Sequence, residues 1–191
     1  MTEEIFDVCD ENDNVIGTAP RSEVHRCKLL HRAVHIWVWN SDGELLLQKR
    51  TETKDEFPGC FTSSASGHVD SGESYEAAAI RELKEELQLQ GELIPGDKLI
   101  GSESTAYEHT VLYHLQTDAP PVPDPGEIAD VVFLSTAQIA EMLERSPETF
   151  TPPFRMLFQA WWEKECAEQE QLFRDVPAFL NSDDAEEGRK G

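Results

Sequence analysis

One stretch, Gly67 to Leu89, constrains the 191-residue chain more than any other. Gly67-His68-Val69-Asp70-Ser71-Gly72-Glu73 sets a sharp turn between two glycines, and Tyr75 to Leu87 then carries apolar residues at helical spacing. At about 100° per residue, Leu83, Leu87 and Ile80 gather on one side, while Glu82, Glu85 and Glu86 share an arc of about 100° on the other. Such a helix buries one stripe against a core and leaves an acidic face. The ordinary reading of that face is a solvated surface, with Arg81 and Glu85 paired at i, i+4. Glu82 and Glu86, however, are like charges at the same spacing, which is unfavourable unless a cation sits between them. Hard carboxylate oxygens suit Mg²⁺ or Mn²⁺, and Mg²⁺ takes one or two carboxylates together with waters and phosphate oxygens.

Around this helix the pattern alternates between strands and helices. Ile5 to Val8 and Val15 to Thr18 flank a polar turn and predict a hairpin. Ala33 to Trp39 and Glu44 to Lys49 flank Asn40-Ser41-Asp42-Gly43 and predict a second, central one. Further extended stretches are expected at Phe61 to Ala65, Lys98 to Ser102, Thr110 to Gln116 and Val131 to Leu134. The proline-rich segment Asp118 to Gly126 reads as a loop. Ser135-Thr136-Ala137-Gln138 opens a capped helix to about Arg145, and Pro152-Pro153 opens a long one to about Phe173. Interspersed elements with hairpins predict a mixed α/β (α+β) fold rather than a purely parallel sheet. One domain over residues 1–176 is expected, with a polar, disordered tail at 177–191.

Composition narrows the function. The formal charge of −22 opposes a nucleic-acid polymer or an anionic membrane as partner. No apolar run reaches the length of a transmembrane helix, and no secretory leader is expected from Met1-Thr2-Glu3-Glu4. Cys9, Cys27, Cys60 and Cys166 form no Cys-x-x-Cys pair, and isolated thiols fit a cytoplasmic protein. The charge is nevertheless uneven, since residues 21–54 hold seven Lys plus Arg against four Asp plus Glu. A local basic stretch of this kind can receive a small anionic ligand.

The helix and its approach resemble the Nudix box. Gly67 is followed after five residues by Glu73, and after seven more by Arg81-Glu82, Leu83, Glu85-Glu86 and Leu89. The late glycine of the box is here Gln88, a departure at the helix end that touches turn geometry rather than metal chemistry. The resemblance implies a Nudix-type mixed sheet sandwiched between helices, and Mg²⁺-dependent attack of water on a small diphosphate compound. By position it implies Glu82, Glu85 and Glu86 as metal ligands, with the Gly67 carbonyl as a further contact. Arg81 would orient the carboxylates with Glu73 as its ion-pair partner. Glu85, or a glutamate outside the box, would activate water. For that outside base Glu127 is preferred over Glu103 and Glu108.

Lys49-Arg50, Lys54, Pro58-Gly59, Ser64 and Gly67-His68 resemble the subgroup near type I isopentenyl-diphosphate isomerase, with a general likeness from Ile5 to Phe158. That likeness implies Arg50 and Lys54 as the grip on the diphosphate, guanidinium being suited to bidentate phosphate contact. The isomerase places a proton-transfer cysteine before its Gly-His pair, where this chain has Ser66, and a glutamate on a later strand, where Thr110 stands with Glu108 nearby. A hydrolase is therefore the expected activity, with an isomerase and a non-catalytic binding module as alternatives. His31 and His68 match isomerase metal-site histidines in rough position, and neutral imidazole binds divalent metals, so a second metal site is one reading of them. The preferred reading is that His31 and His35 pack in or beside their strand and that His68 bonds within its turn. Trp37 and Trp39 are expected in packing. The oligomeric state stays open, a homodimer included.

Overall fold

The computed structural model describes residues 3–175. In chain order it holds a hairpin of β1 (Ile5–Cys9) and β2 (Val15–Pro20), then α1 (Arg21–Cys27), β3 (His31–Trp39), β4 (Leu45–Arg50), β5 (Phe61–Thr62) and β6 (Ala65–His68). There follow α2 (Tyr75–Leu87), β7 (Ile94–Leu99), β8 (Glu108–Gln116), β9 (Ile128–Leu134), α3 (Thr136–Arg145) and α4 (Pro152–Asp175). The chain forms two compact units, Met1–Phe158 and Gln159–Gly191. The tail expected at 177–191 lies outside the described residues.

Apart from the β1–β2 hairpin, the strands form one mixed sheet in the order β5-β4-β3-β8-β7, with β6 also on β3 and β9 also on β4. The pairing of β3 with β8 is parallel and sets His31 opposite Glu108 and Ala33 opposite Thr110. The others are antiparallel. β4 meets β3 only where Trp39 faces Leu45, then diverges toward β5 and β9. At this fork the Ser64 hydroxyl replaces ladder contacts, accepting from the Val38 N–H (2.8 Å) and donating to the Leu46 carbonyl (2.6 Å). Both backbone groups are thereby satisfied where the sheet opens.

Period-2 alternation gives β3 two different faces. Val34, Ile36 and Val38 pack in one core with Ala78, Ala79, Leu83 and Leu87 of α2. His31, His35 and Trp37 face the other way, Trp37 being fully buried against Phe154 and Phe158. Trp37 is thus a packing residue, as expected.

Several boundaries differ from the sequence reading. Phe61 to Ala65 is not one strand: Phe61 and Thr62 pair with β4, whereas Ala65 to His68 pair with β3. β7 starts at Ile94 rather than Lys98, and its Pro95-Gly96 stretch is tolerated because this is an edge strand with a register shift between Pro95 and Lys98. α1 has no expected counterpart. It has seven residues, no side-chain cap bond and a single buried residue, Val24, so it carries no amphipathic signature.

Candidate active site

α2 starts cleanly because Ser74 caps it, its hydroxyl accepting from the Ala77 N–H at 3.2 Å. Docking its apolar stripe on the sheet turns Glu82 and Glu86 inward over β6 and leaves Glu85 outward. The ordinary reading of a solvated face therefore fits Glu85 alone. The Glu86 residue is 7% exposed and the Glu82 side chain 13%, while Ile80, expected on the apolar side, is 50% exposed. Gly67 makes the close approach feasible, since a Cβ there would lie 2.1 Å from the Glu82 carboxylate. Glu86 accepts from Gln48 Nε2 (2.7 Å) and from the Ser66 N–H (3.1 Å). Burial, reinforced by Glu82, still pushes the Glu86 carboxyl up to about 8. Burial also raises Glu82, against the pull of Arg81.

Arg81 ties these groups together. Its Nε and Nη2 donate to the two oxygens of Glu73 (3.1 and 2.9 Å), Nη1 donates to Glu82 (2.6 Å), and Nη2 also reaches the His68 carbonyl (3.0 Å). This network raises the Arg81 pKa further, the bond to Glu73 being the largest cause. The more exposed Glu85 lies 3.5 Å from Arg81.

A cavity of about 550 Å³ opens between α2 and the basic stretch. Glu82, Glu85 and Glu86 line it together with Arg50, Lys54, Glu108 and Glu127. Burial lowers the pKa of both Arg50 and Lys54. Lys54 forms an ion pair with Glu127. Glu127 is delivered there by the loop expected at 118–126, whose Val122 and Asp124 N–H groups bond the Leu87 and Glu86 carbonyls (2.8 Å each) at the end of α2. The remaining candidate, Glu103, is separated from these groups: its side chain is 83% exposed and faces Lys28.

Beside the cavity, where His68 and Glu108 line its wall, lies a histidine group of which His25 carried no sequence signal. His25 from α1, His31 from the start of β3 and His68 from the end of β6 each offer a donor atom within 4.8 Å of the others. The Nε2 atoms of all three are buried without a hydrogen-bond partner. His31 Nδ1 lies 2.9 Å from the Leu29 carbonyl, which can only accept, so the proton sits on Nδ1 and the lone pair on Nε2. Glu108 adds a carboxylate 3.4 Å from His68 Nε2 and 4.0 Å from His31 Nε2. Phe6 covers the group, its ring stacked 4.6 Å from His68 and 5.8 Å from His31. Burial pushes His31 down to about 4, so its imidazole is neutral near pH 7. Burial alone would raise Glu108, but His68, His31 and His35 overrule it and hold the carboxyl low. Orphaned imidazole nitrogens beside a carboxylate are a donor set for a divalent cation. This arrangement favours the second-metal alternative for His31 and His68 over the packing reading. For His35 it stands, since that ring is buried with Nδ1 2.7 Å from the Ser63 hydroxyl.

The family model for the NUDIX domain matches residues 29–154. The isopentenyl-diphosphate Delta-isomerase 2 of Photorhabdus laumondii is 30% identical over 175 residues, spanning 89% of this chain and 99% of the relative. An uncharacterized Nudix hydrolase of Nostoc sp., all7351, is 36% identical over 148 residues, 74% of this chain and 86% of its own. Among solved structures, DR0079 from Deinococcus radiodurans aligns with a TM-score of 0.68 at 28% identity, covering 75% of this chain and 90% of that one.

Proposed function

Because this chain belongs to the Nudix family, we propose that it hydrolyses the diphosphate bond of a small nucleoside-diphosphate-like compound with Mg²⁺ or Mn²⁺ as cofactor. The observation that carries this reading is the placement of Glu82, Glu85 and Glu86 on one cavity with Arg50 and Lys54. Two buried like-charged carboxylates, one pushed up to about 8, fit a divalent cation as the missing partner. Glu82, Glu85 and Glu86 would hold it, with the Gly67 carbonyl as a further contact. When bound, such a cation neutralises phosphate charge and acidifies a coordinated water.

The protein groups divide the remaining work. Arg50 and Lys54 bind diphosphate oxygens and set the phosphorus against the carboxylates. Arg81, clamped by both oxygens of Glu73, holds Glu82 in place. Glu127 takes the proton from water once its ion pair with Lys54 gives way to the diphosphate, and the exposed Glu85 is its competitor for that role. The test is monophosphate or phosphate release from a diphosphate panel with Mg²⁺, comparing wild type with Glu86→Gln. Turnover should fall by roughly 10²-fold or more in the variant, and equal turnover refutes the ligand assignment.

A second reading, isopentenyl-diphosphate isomerisation, is favoured by the His25, His31, His68 and Glu108 cluster and by relatives bearing that name. Against it stands Ser66, which lines the cavity where the isomerase needs a thiol; a hydroxyl is a far weaker acid or base near pH 7. Deuterium incorporation into isopentenyl diphosphate in D₂O decides it, and no exchange at high enzyme concentration eliminates it.

A further inference from the structure

The loop between β4 and β5 carries Lys54 yet has no ladder partner of its own. Its ends are fastened, by Arg50 N–H to the Cys60 carbonyl (2.9 Å) and Thr51 N–H to the Glu127 carbonyl (3.1 Å). Its middle is held at Glu56. The Glu56 backbone carbonyl accepts from Arg50 Nε at 3.1 Å, and its carboxylate lies 3.5 Å from His25 Nδ1. One residue thus touches the diphosphate grip with its backbone and the histidine cluster with its side chain. Glu56 also lines both the main cavity and the adjoining one that contains His25.

We propose that Glu56 is a positioning residue that couples occupancy of the histidine cluster to the placement of the diphosphate-binding loop. The proposal rests on the reading that His25, His31, His68 and Glu108 hold a divalent cation. A carboxylate facing Nδ1 keeps the His25 proton on that atom and leaves the Nε2 lone pair pointing into the cluster, beside the other two orphaned nitrogens. His31 achieves the same orientation with the Leu29 carbonyl, but that acceptor belongs to the segment between α1 and β3 rather than to the diphosphate-binding loop. Of these two outer contacts, the one to Glu56 bears on the loop with Lys54 and Arg50. Fixing the His25 ring therefore fixes the Glu56 carboxylate, the Glu56 carbonyl and the Arg50 guanidinium in turn. A simple ion pair between helix and loop would hold the loop equally well without any cation.

Co²⁺ absorption titration and Mn²⁺ calorimetry on the full chain separate these cases, using wild type, His68→Ala, Glu56→Gln and Glu56→Ala, with hydrogen exchange of the 51–59 amides as a second readout. In wild type a Co²⁺ band absent from His68→Ala should appear, and saturating Co²⁺ should slow loop exchange. Glu56→Ala should weaken Co²⁺ and Mn²⁺ binding by about 10- to 100-fold and abolish the loop protection even at saturation. Glu56→Gln, whose amide oxygen still accepts from Nδ1–H, should recover part of both. Wild-type affinity and wild-type protection in Glu56→Ala would overturn the coupling while leaving the cation site intact. Identical Co²⁺ spectra for wild type and His68→Ala would overturn the cation site itself, and the coupling with it.

Discussion

Asp13, in the turn of the β1–β2 hairpin, offers a sharp test of how the cover over the histidine cluster is held down. Its side chain is 9% exposed and receives Arg32 Nε (2.7 Å), Lys98 Nζ (2.5 Å) and the Tyr75 hydroxyl (3.0 Å). Burial alone would raise its pKa, but these three partners overrule it and hold the carboxyl at about 2, against 3.8 for a free aspartate. At about 1.4 kcal/mol per unit, the difference is about 2.5 kcal/mol. Discounting the half-solvated Lys98 leaves about 2 kcal/mol. Because the folded pKa is depressed, this stability is present above the unfolded pKa and is lost as pH falls from about 4 through 2. Asp13→Asn keeps the shape and tolerates the left-handed backbone (φ 64°), so it removes charge rather than geometry. Urea unfolding should show the variant about 2 kcal/mol less stable at pH 7, with the gap reduced to about half by pH 3. A gap below about 0.5 kcal/mol at pH 7, or one that does not shrink with acid, would refute the reasoning.

Other substitutions probe neighbouring steps. Gln88 ends α2 at φ 54°, the position where the family has glycine, so Gln88→Gly should stabilise the fold by about 1 kcal/mol in thermal or urea unfolding. Gly67→Ala should drive the Glu82 carboxylate away from β6, lowering diphosphate turnover by roughly 10²-fold with a smaller loss of melting temperature. Unchanged turnover would separate Glu82 from the chemistry. Phe6→Ala should cost about 3–5 kcal/mol, since this fully buried ring packs on His31 and His68, and near-neutral unfolding data would contradict that packing.

The contiguous part of the site is legible in the chain itself. From Gly67 to Leu89 the spacing alone sets a turn, a helix and the order of its carboxylates, because a helix converts sequence distance into angular position without outside help. The Tyr75–Leu87 limits and the Ser135 cap of α3 follow from the same local rules. The strands of β7 and β5–β6 are less legible, because edge position and a fork in the sheet depend on neighbours far along the chain.

What tertiary structure alone decides is which groups meet and how dry they become. The −22 charge and the box spacing say nothing of Glu86 lying under β6, where loss of water rather than sequence context shifts its acidity. Likewise His25, His31, His68 and Glu108 come from four separate segments, one of them a seven-residue helix without a sequence signature. Parallel pairing of β3 and β8 brings Glu108 beside His31. The carboxylate helix is therefore a property of the sequence. The histidine cluster, which reaches the same cavity through His68 and Glu108, is a product of long-range strand register and of where α1 packs, which no local pattern encodes.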